Sequence, residues 1–416
     1  MREASVWARL LGVEGAVVVR VELEAKGDVI AHVRPYFCDV NKCGWCRRSC
    51  PRYDAGSGRR RWRALDLGTV AAHVEADAPR VTCPTHGVVA EFVPWARPGV
   101  RFTRFFEETV AWLAARTDKT AVAGLMRVAW RTVGSIIERV VEDVLKTRPP
   151  LAGLRRIGVD EVSFRKGQRY LTVVVDHDTG HLVWAREGCD KATLCSFFDE
   201  LGKEACDRIE LVSADASPAF TAVIREKCPS ATLCTDPFHV VQWATEAIER
   251  MRRQVWRESQ RQGLAVAPEL KGARYALLKN PENLSDGQEA KLALVAKVNK
   301  PLYRAYLLKE QLRQVFKLRG DAGVHLLKLW LSWAARARLP EFDKVRAAVL
   351  TNLRGIQAAL RHGLSNARVE SLNNRLRLLT RVAYGFHSAG ALIALAMLKL
   401  GGTCPALPGR THANVN

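Results

Sequence analysis

Four acids offer the chemistry of this sequence. Asp160 sits inside an apolar stretch, IGVDEV; Asp215 closes LVSAD; Asp236 closes LCTD; Glu370 opens VESLNNRLRLLTRVAYGF. A charge inside an apolar strand is costly unless it is used or paired. Carboxylates held close together repel one another and need divalent cations, and hard oxygen ligands select magnesium or manganese. Two such ions can activate a nucleophile and stabilise the leaving oxygen of an in-line phosphoryl displacement. Asp160, Asp215 and Glu370 are therefore the candidate catalytic set, with Asp236 and His239 as accessory residues. Glu161 points to the opposite face of a strand from Asp160. Asp176 and Asp178 flank a turn at Gly180, where short acids serve the backbone. Asp215 precedes Ser217 and Pro218 and can also cap a helix, so Asp236 stays open as the second acid.

A second constellation has soft ligands. CGWC (Cys43, Cys46) and CPTH (Cys83, His86) are pairs with two residues inside each. Two tight turns, each giving two ligands to one tetrahedral ion, are how structural zinc is held. Cys38 and Cys50 are spare thiols beside them.

Elements must position both sets. VVVRVELEA and VIAHVRP alternate on either side of Gly27, residues 69–82 alternate again, and residues 1–95 read as a small β module. Helical periodicity runs from about residue 103 to Leu145 and stops at Pro149 and Pro150. Within it, a short helix (AVAGLMR) breaks near Val128–Ala129 before WRTVGSIIERVVEDVL, whose Val133, Ile136, Ile137, Val140, Val141 and Val144 form an apolar side. Arg127, Trp130 and Arg131 cluster there, where a recognition helix meets base edges and phosphates. Next come RRIGVDEVSF, RYLTVVVDHD and HLVWARE as an antiparallel meander, a helix capped by Asp190, the strand IELVSAD, the helix SPAFTAVIREKC and the strand ATLCTD. Everything from Phe238 to about Leu400 reads as helix. This element order is that of a ribonuclease-H-like domain, in which the first and fourth strands are neighbours and bring Asp160 beside Asp215. After Glu370, Asn374, Arg377 and Arg381 follow at steps of four, three and four, on the glutamate's side of the helix. Arginines on that side suit phosphate oxygens.

The formal net charge is +21, with Lys and Arg spread along the chain, which points to a broad nucleic-acid footprint. No secretory signal is visible at the start, and AGALIALAML (389–398) is too short to span a bilayer. A cytoplasmic, nucleoid-associated protein with no membrane partner is expected.

The stretches CGWC, CPTHGV and VPWA, WRTVGSIIERV, IGVDEVSF, VSADAS, TDPFHVV, LLKNPENL, AYLLKE and VESLNNRLRLLTRVAYGF resemble the IS-L-three family of bacterial insertion-sequence transposases, over roughly residues 10–400. The resemblance implies a multidomain α+β chain: an N-terminal zinc ribbon (1–95), a helix-turn-helix (96–150), and a ribonuclease-H-like α/β/α catalytic domain of the DDE type (151–400) with an all-helical insertion at about 240–360, then a tail (401–416). It makes Asp160, Asp215 and Glu370 the metal-binding triad, spaced by 55 and 155 residues, and Cys43, Cys46, Cys83 and His86 the zinc ligands. His86 stands where a fourth cysteine is usual. Terminal inverted repeats and target DNA are the implied partners, with a homodimer in the active complex. The insertion, rich in bases and with aromatics such as Trp256 expected to be exposed, is expected to meet DNA or a second copy rather than metal. The rival readings are a DNA-binding regulator with an inactive later domain and a nuclease that cuts without joining.

Overall fold

The computed structural model describes residues 3–410 apart from 166, 168 and 384. Tyr384 of the last quoted motif and residues 411–416 of the tail therefore lie outside the described residues. The chain divides into two compact units, residues 1–149 with 390–416, and residues 150–389.

The first unit opens with α1 (Glu3–Leu10), then β1 (Ala16–Leu23), β2 (Val29–Pro35), β3 (Arg52–Asp54), β4 (Arg59–Arg63), β5 (Ala72–Asp77), β6 (Arg80–Cys83) and β7 (Gly87–Ala90). These form a four-stranded sheet, β1-β2-β5-β4, and a three-stranded sheet, β3-β6-β7. Alternation in β1 and β5 turns Val18, Val74 and Ala76 inward, where they meet Trp62 and Trp95, whose rings pack edge to face at 5.5 Å. The pairing of β2 with β5 is parallel, which no local signal announces.

Three helices follow: α2 (Arg104–Ala114), α3 (Lys119–Met126) and α4 (Trp130–Thr147). Thr103 caps α2 through Phe106 N, and Asp118 caps α3 through the amides of Thr120 and Ala121. On α4, Val133, Ile136, Ile137, Val140 and Val141 are buried, as the periodicity requires; Val144 is only half-buried. Buried Glu107 on α2 takes Arg97 (3.0 Å) and Arg139 of α4 (2.6 Å), so charges removed from water are paired on both sides.

The second unit holds β8 (Arg156–Arg165), β9 (Arg169–Asp176), β10 (Leu182–Glu187), α5 (Lys191–Leu201), α6 (Lys203–Cys206), β11 (Leu211–Ala214), α7 (Pro218–Lys227) and β12 (Thr232–Thr235). Their sheet has the order β10-β9-β8-β11-β12; β8, β9 and β10 are antiparallel, while β11 runs parallel to both β8 and β12. Asp190 caps α5 through Thr193 N at 2.8 Å, and Gly202 at φ 82° ends it. Ile157, Val159, Val174 and Val212 share one core with Leu194 and Phe197 of α5 and Phe220 and Val223 of α7.

A run of helices follows: α8 (Pro237–Arg261), α9 (Ala267–Gly272), α10 (Arg274–Leu278), α11 (Asp286–Val298), α12 (Lys300–Lys317), α13 (Gly320–Arg336), α14 (Pro340–Thr351) and α15 (Leu353–His362). They enclose an apolar core of their own, from Val240 to Leu360, in which Trp330 and Phe342 are fully buried. Trp256 belongs partly to this core, with Lys271 Nζ 5.3 Å from its ring, so the expectation of an exposed aromatic does not hold. Helix α15 covers the edge strand β12. Gly355 permits this approach, since a Cβ there would lie 2.3 Å from Thr235 Oγ1. Helix α16 (Ala367–Val382) then lies against β8; α17 (Ala389–Leu400), the last helix among the described residues, belongs to the first unit from Gly390 on. Among the described residues, no helix is long and apolar enough to cross a membrane.

Candidate active site and metal cluster

Alternation on β8 sends Ile157 and Val159 into the core and Gly158 and Asp160 to the face that α16 covers. The parallel register pairs Ser213 with Gly158, so Asp215 and Asp160 each stand two residues further along neighbouring strands. Asp236 follows β12, whose Thr235 pairs with Ala214. Three acids thus lie level across three adjacent strands, Asp160 midway along β8 and Asp215 and Asp236 just past the ends of β11 and β12.

Their surroundings differ. Asp160 Oδ1 accepts the Glu161 N–H (2.8 Å), and Oδ2 accepts Asn373 Nδ2 (2.9 Å) from α16. Desolvation pushes its carboxyl up to about 6; His239 opposes this and Asp215 and Asp236 add to it. Glu161 is pushed up to about 7 by desolvation and then by Asp215 and Asp160. Asp215 Oδ1 takes the amide of Ser217 (3.0 Å). Asp236, 4% exposed, has both oxygens engaged: Oδ2 with His239 Nδ1 at 3.0 Å and Oδ1 with the Asn366 amide at 3.2 Å. The bond to Asp236, followed by the charges of Asp236, Asp215 and Asp160, raises His239 and favours its protonated form against desolvation.

Glu370 is exposed on the first turn of α16 and lines a shallow depression with Ser371, Asn374 and Arg375. Arg377 Nη1 donates to Asn374 Oδ1 at 2.9 Å, and Arg377 and Arg381 are exposed. Among the described residues, the acids do not gather three ligand oxygens as tightly as the Cys/His set described below. The structure brings Asp160, Asp215, Asp236 and His239 within electrostatic reach of one another and leaves Glu370 on the flank.

Four residues here went unread in the sequence. Buried Asn366, just before α16, donates Nδ2 to Val159 O (3.3 Å), accepts from the Ser213 hydroxyl, and donates its amide to Asp236. His177 Nε2 lies 2.7 Å from Ser213 Oγ. The one Ser213 proton goes to Asn366, so His177 donates from Nε2; its burial, pulling it down to about 4, keeps the ring neutral. Asn373 is 2% exposed, and its Oδ1 has no hydrogen-bond partner among the described residues. Such an orphan costs about 1–3 kcal/mol. One signal was available: Asn373 falls inside the apolar stripe Val369, Leu372, Leu376, whereas Asn374 lies outside it.

In the first unit, Cys43, Cys46, Cys83 and His86 place their ligand atoms within 4.8 Å of one another. Cys46 Sγ is 3.7 Å from Cys83 Sγ, and His86 Nδ1 lies 3.6 and 3.5 Å from the Cys43 and Cys83 sulfurs. A tetrahedron with the usual zinc bond lengths has S···S and S···N edges of about 3.8 and 3.6 Å. Desolvation pushes the Cys83 thiol up, but the His86 ring and the amides of Thr85 and His86 outweigh it and bring it down to about 5, a poise suited to a thiolate ligand. Cys50 is buried beside this set, with Sγ 3.3 Å from Arg48 O.

At the helix-turn-helix, Arg127 is the left-handed residue (φ 52°) that closes α3 rather than part of α4. Its guanidinium is held by Asp66 (Nε–Oδ2 2.9 Å) and by the Thr69 carbonyl (3.2 Å). Trp130 and Arg131 are exposed at the start of α4, with Lys119 Nζ 3.6 Å from the Trp130 ring centroid.

Residues 157–396 match the ISL3 family of DDE transposases, described as "Transposase", which is more than half of the chain. The chain belongs to the ISL3 transposase family. Residues 91–141 match the "Helix-turn-helix domain of transposase family ISL3", and residues 39–86 match the "zinc-finger of transposase IS204/IS1001/IS1096/IS1165". The chain is 51% identical to the transposase for insertion sequence element IS1557 of Mycobacterium tuberculosis, over 99% of this chain and 98% of that protein. It is 27% identical to the transposase for insertion sequence element IS1001 of Bordetella parapertussis, over 93% and 95% of the two chains. Zinc ribbon, helix-turn-helix and transposase domain thus follow one another in the order of the ISL3 family, and the reading as a DNA-binding regulator is not favoured.

Proposed function

We propose that this ISL3 transposase binds the ends of its insertion sequence and cuts and joins DNA at a site built from Asp160, Asp215 and Glu370. The observation that carries the reading is the side-by-side placing of Asp160 and Asp215 on adjacent strands, with α16 bringing Glu370 along the same sheet face. The sheet order, with three antiparallel strands followed by two parallel ones, supports a ribonuclease-H-like domain over 151–400. The separate core of α8–α15 supports a helical insertion at about 240–360 within it. Residues 1–95 form the proposed zinc-binding module and 96–150 the DNA-binding helix-turn-helix.

The donor set suits a divalent cation: oxygens only, on clustered acids, with Asp160 pushed up to about 6 by burial first and by Asp215 and Asp236 after it. Magnesium or manganese, when bound, supplies positive charge to the attacking and leaving oxygens of an in-line phosphoryl displacement. Asp215 is the favoured second ligand, because it stands level with Asp160 on the adjacent strand, whereas Asp236 lies one strand further away. Asp236 orients His239 and keeps its proton beside the acids. Arg377 and Arg381 on α16, with Asn374, are the proposed phosphate contacts of the site, and Trp130 and Arg131 those of the recognition helix. Zinc is assigned to Cys43, Cys46, Cys83 and His86. An element has two ends to be joined, which favours a homodimer as the active form.

The test is single-turnover cleavage of an element-end substrate in manganese by Asp160→Asn, Asp215→Asn, Asp236→Asn and Glu370→Gln. Loss of an acid from the site is expected to raise the barrier by several kcal/mol and slow cutting roughly a thousandfold, with Asp236→Asn the mildest. A dead Asp236→Asn beside an active Asp215→Asn reverses the choice of second acid, and four active variants dismiss the site. Strand-transfer products separate a transposase from a nuclease that only cuts.

A further inference from the structure

We propose that Asn373 is a member of the divalent-cation site: Nδ2 orients Asp160, and Oδ1 offers the cation's shell a neutral oxygen. This rests on the reading of Asp160 as a metal ligand.

Three observations point there. First, the amide orientation is fixed. Asp160 Oδ1 is taken by the Glu161 N–H and Oδ2 by Asn373 Nδ2 at 2.9 Å; turning the amide would set its oxygen against a carboxylate. Second, that orientation leaves Oδ1 buried and unpartnered among the described residues, although the side chain is 2% exposed. Buried carbonyl oxygens almost always find a partner. A leucine in this place would extend the stripe made by Val369, Leu372 and Leu376 and remove the orphan, but it would take the donor from Asp160 Oδ2. That bond explains Nδ2 and gives no reason for a buried Oδ1. An oxygen-seeking cation beside Asp160 does, because neutral side-chain carbonyls are ordinary members of such shells. Third, helical phase ties Asn373 to Glu370. Asn366, Glu370 and Asn373 follow at steps of four and three on one side of α16. Asn366 anchors the start of that side to Val159 and Ser213, and Asn373 anchors it to Asp160 about two turns later. Glu370 lies between two fixed points.

The bland alternative is that Asn373 only pins α16 to β8. Asn373→Leu and Asn373→Asp separate the two roles, because the aspartate keeps an oxygen at Oδ1 and loses the donor, whereas leucine loses both. The probe is Mn2+, titrated calorimetrically into the full-length, zinc-loaded protein, with Asp160→Asn alongside; melting curves and zinc retention report folding. Asn373→Leu is expected to weaken Mn2+ binding about 10–100-fold, the usual effect of residues that support a metal ligand. Asn373→Asp is expected to bind Mn2+ at least as tightly as the parent. Parental affinity in Asn373→Leu overturns the proposal. Equal weakening in both variants also overturns it, leaving only a pin. If Asn373→Leu does not fold, Asn373→Asp decides alone, and a tenfold loss there is fatal. Failure of the underlying reading looks different: Asp160→Asn itself would bind Mn2+ like the parent.

Discussion

Gly158 is where the sheet lets α16 come close, and Gly158→Ala tests whether that closeness matters. A Cβ on Gly158 would lie 2.4 Å from Val369 Cγ2, 2.7 Å from His177 Nε2 and 3.1 Å from Ser213 Oγ. Carbon atoms are at ease at about 3.5 Å or more, so α16 must retreat by about 1 Å, since a β-branched valine on a helix cannot turn aside. The φ of Gly158 is not in the left-handed region, so alanine suits the backbone itself. Overpacking costs about 1–3 kcal/mol, and the stiffer unfolded chain returns about 0.4–1 kcal/mol. A net loss of about 1.5 kcal/mol lowers the melting midpoint by about 3–6 °C in a unit of this size. The effect on cutting should be larger. A shift of about 1 Å in a reacting group can cost on the order of a hundredfold, and α16 carries both Asn373 and Glu370. Differential scanning fluorimetry and single-turnover cleavage measure the two effects. Gly287→Ala on α11, with open space around it, is the control and should be neutral. Adding Val369→Ala should restore part of the cleavage. A Gly158→Ala protein that melts and cuts like the parent, or a Gly287→Ala protein that is equally harmed, would refute the reasoning.

Metal analysis of the purified protein should find about one zinc per chain, and Cys83→Ala should lose it along with the fold of the first module, as structural zinc sites do; retention of zinc by that variant would exclude Cys83. Arg131→Ala should weaken binding to element ends and flatten its salt dependence. Arg127→Ala should instead lower the melting temperature through the lost Asp66 contact, so a reverse pattern in binding and melting assays counts against these roles. Burial first, and Asp215 and Asp236 after it, raise Asp160 to about 6. The fold therefore prefers the protonated acid, and the stability this group contributes falls as pH rises from about 4 to 6. A cation needs the ionised form, so Mn2+ affinity should be about tenfold weaker at pH 5 than at pH 7.5. Titration calorimetry at the two pH values checks this, and a flat response would place the Mn2+ away from Asp160.

Much of this was legible because it is periodic or local. Alternation marked β1, β2 and β8–β10, ligand pairs marked the zinc turns, and the caps at Asp118 and Asp190 lie beside the helices they start. The strand order that sets Asp160 next to Asp215 followed from element order alone. What stayed hidden depends on distant partners. Asn366 meets Asp236 across 130 residues and Asn373 meets Asp160 across 213, and an amide carries no pattern that announces such a partner. Short β3 and β4 lack enough alternation to be seen, and β3 is held only by pairing with β6. Arg127 read by position as the start of the second helix, yet its left-handed backbone closes α3 and its side chain pairs with Asp66.

Those long separations also set a timetable. Asp160, Asp215 and Asp236 all leave the ribosome before the helical block of α8–α15 has been made, whereas Asn366 and Asn373 come after it. At about 5–20 residues per second, the 137 residues between Asp236 and Asn373 take on the order of ten seconds to synthesise. During that interval the sheet carries these acids without the helix that lies against β8. A chain broken off inside the block never acquires α16 at all. The order of the elements along the chain thus withholds the proposed acid site from any copy that ends before α16.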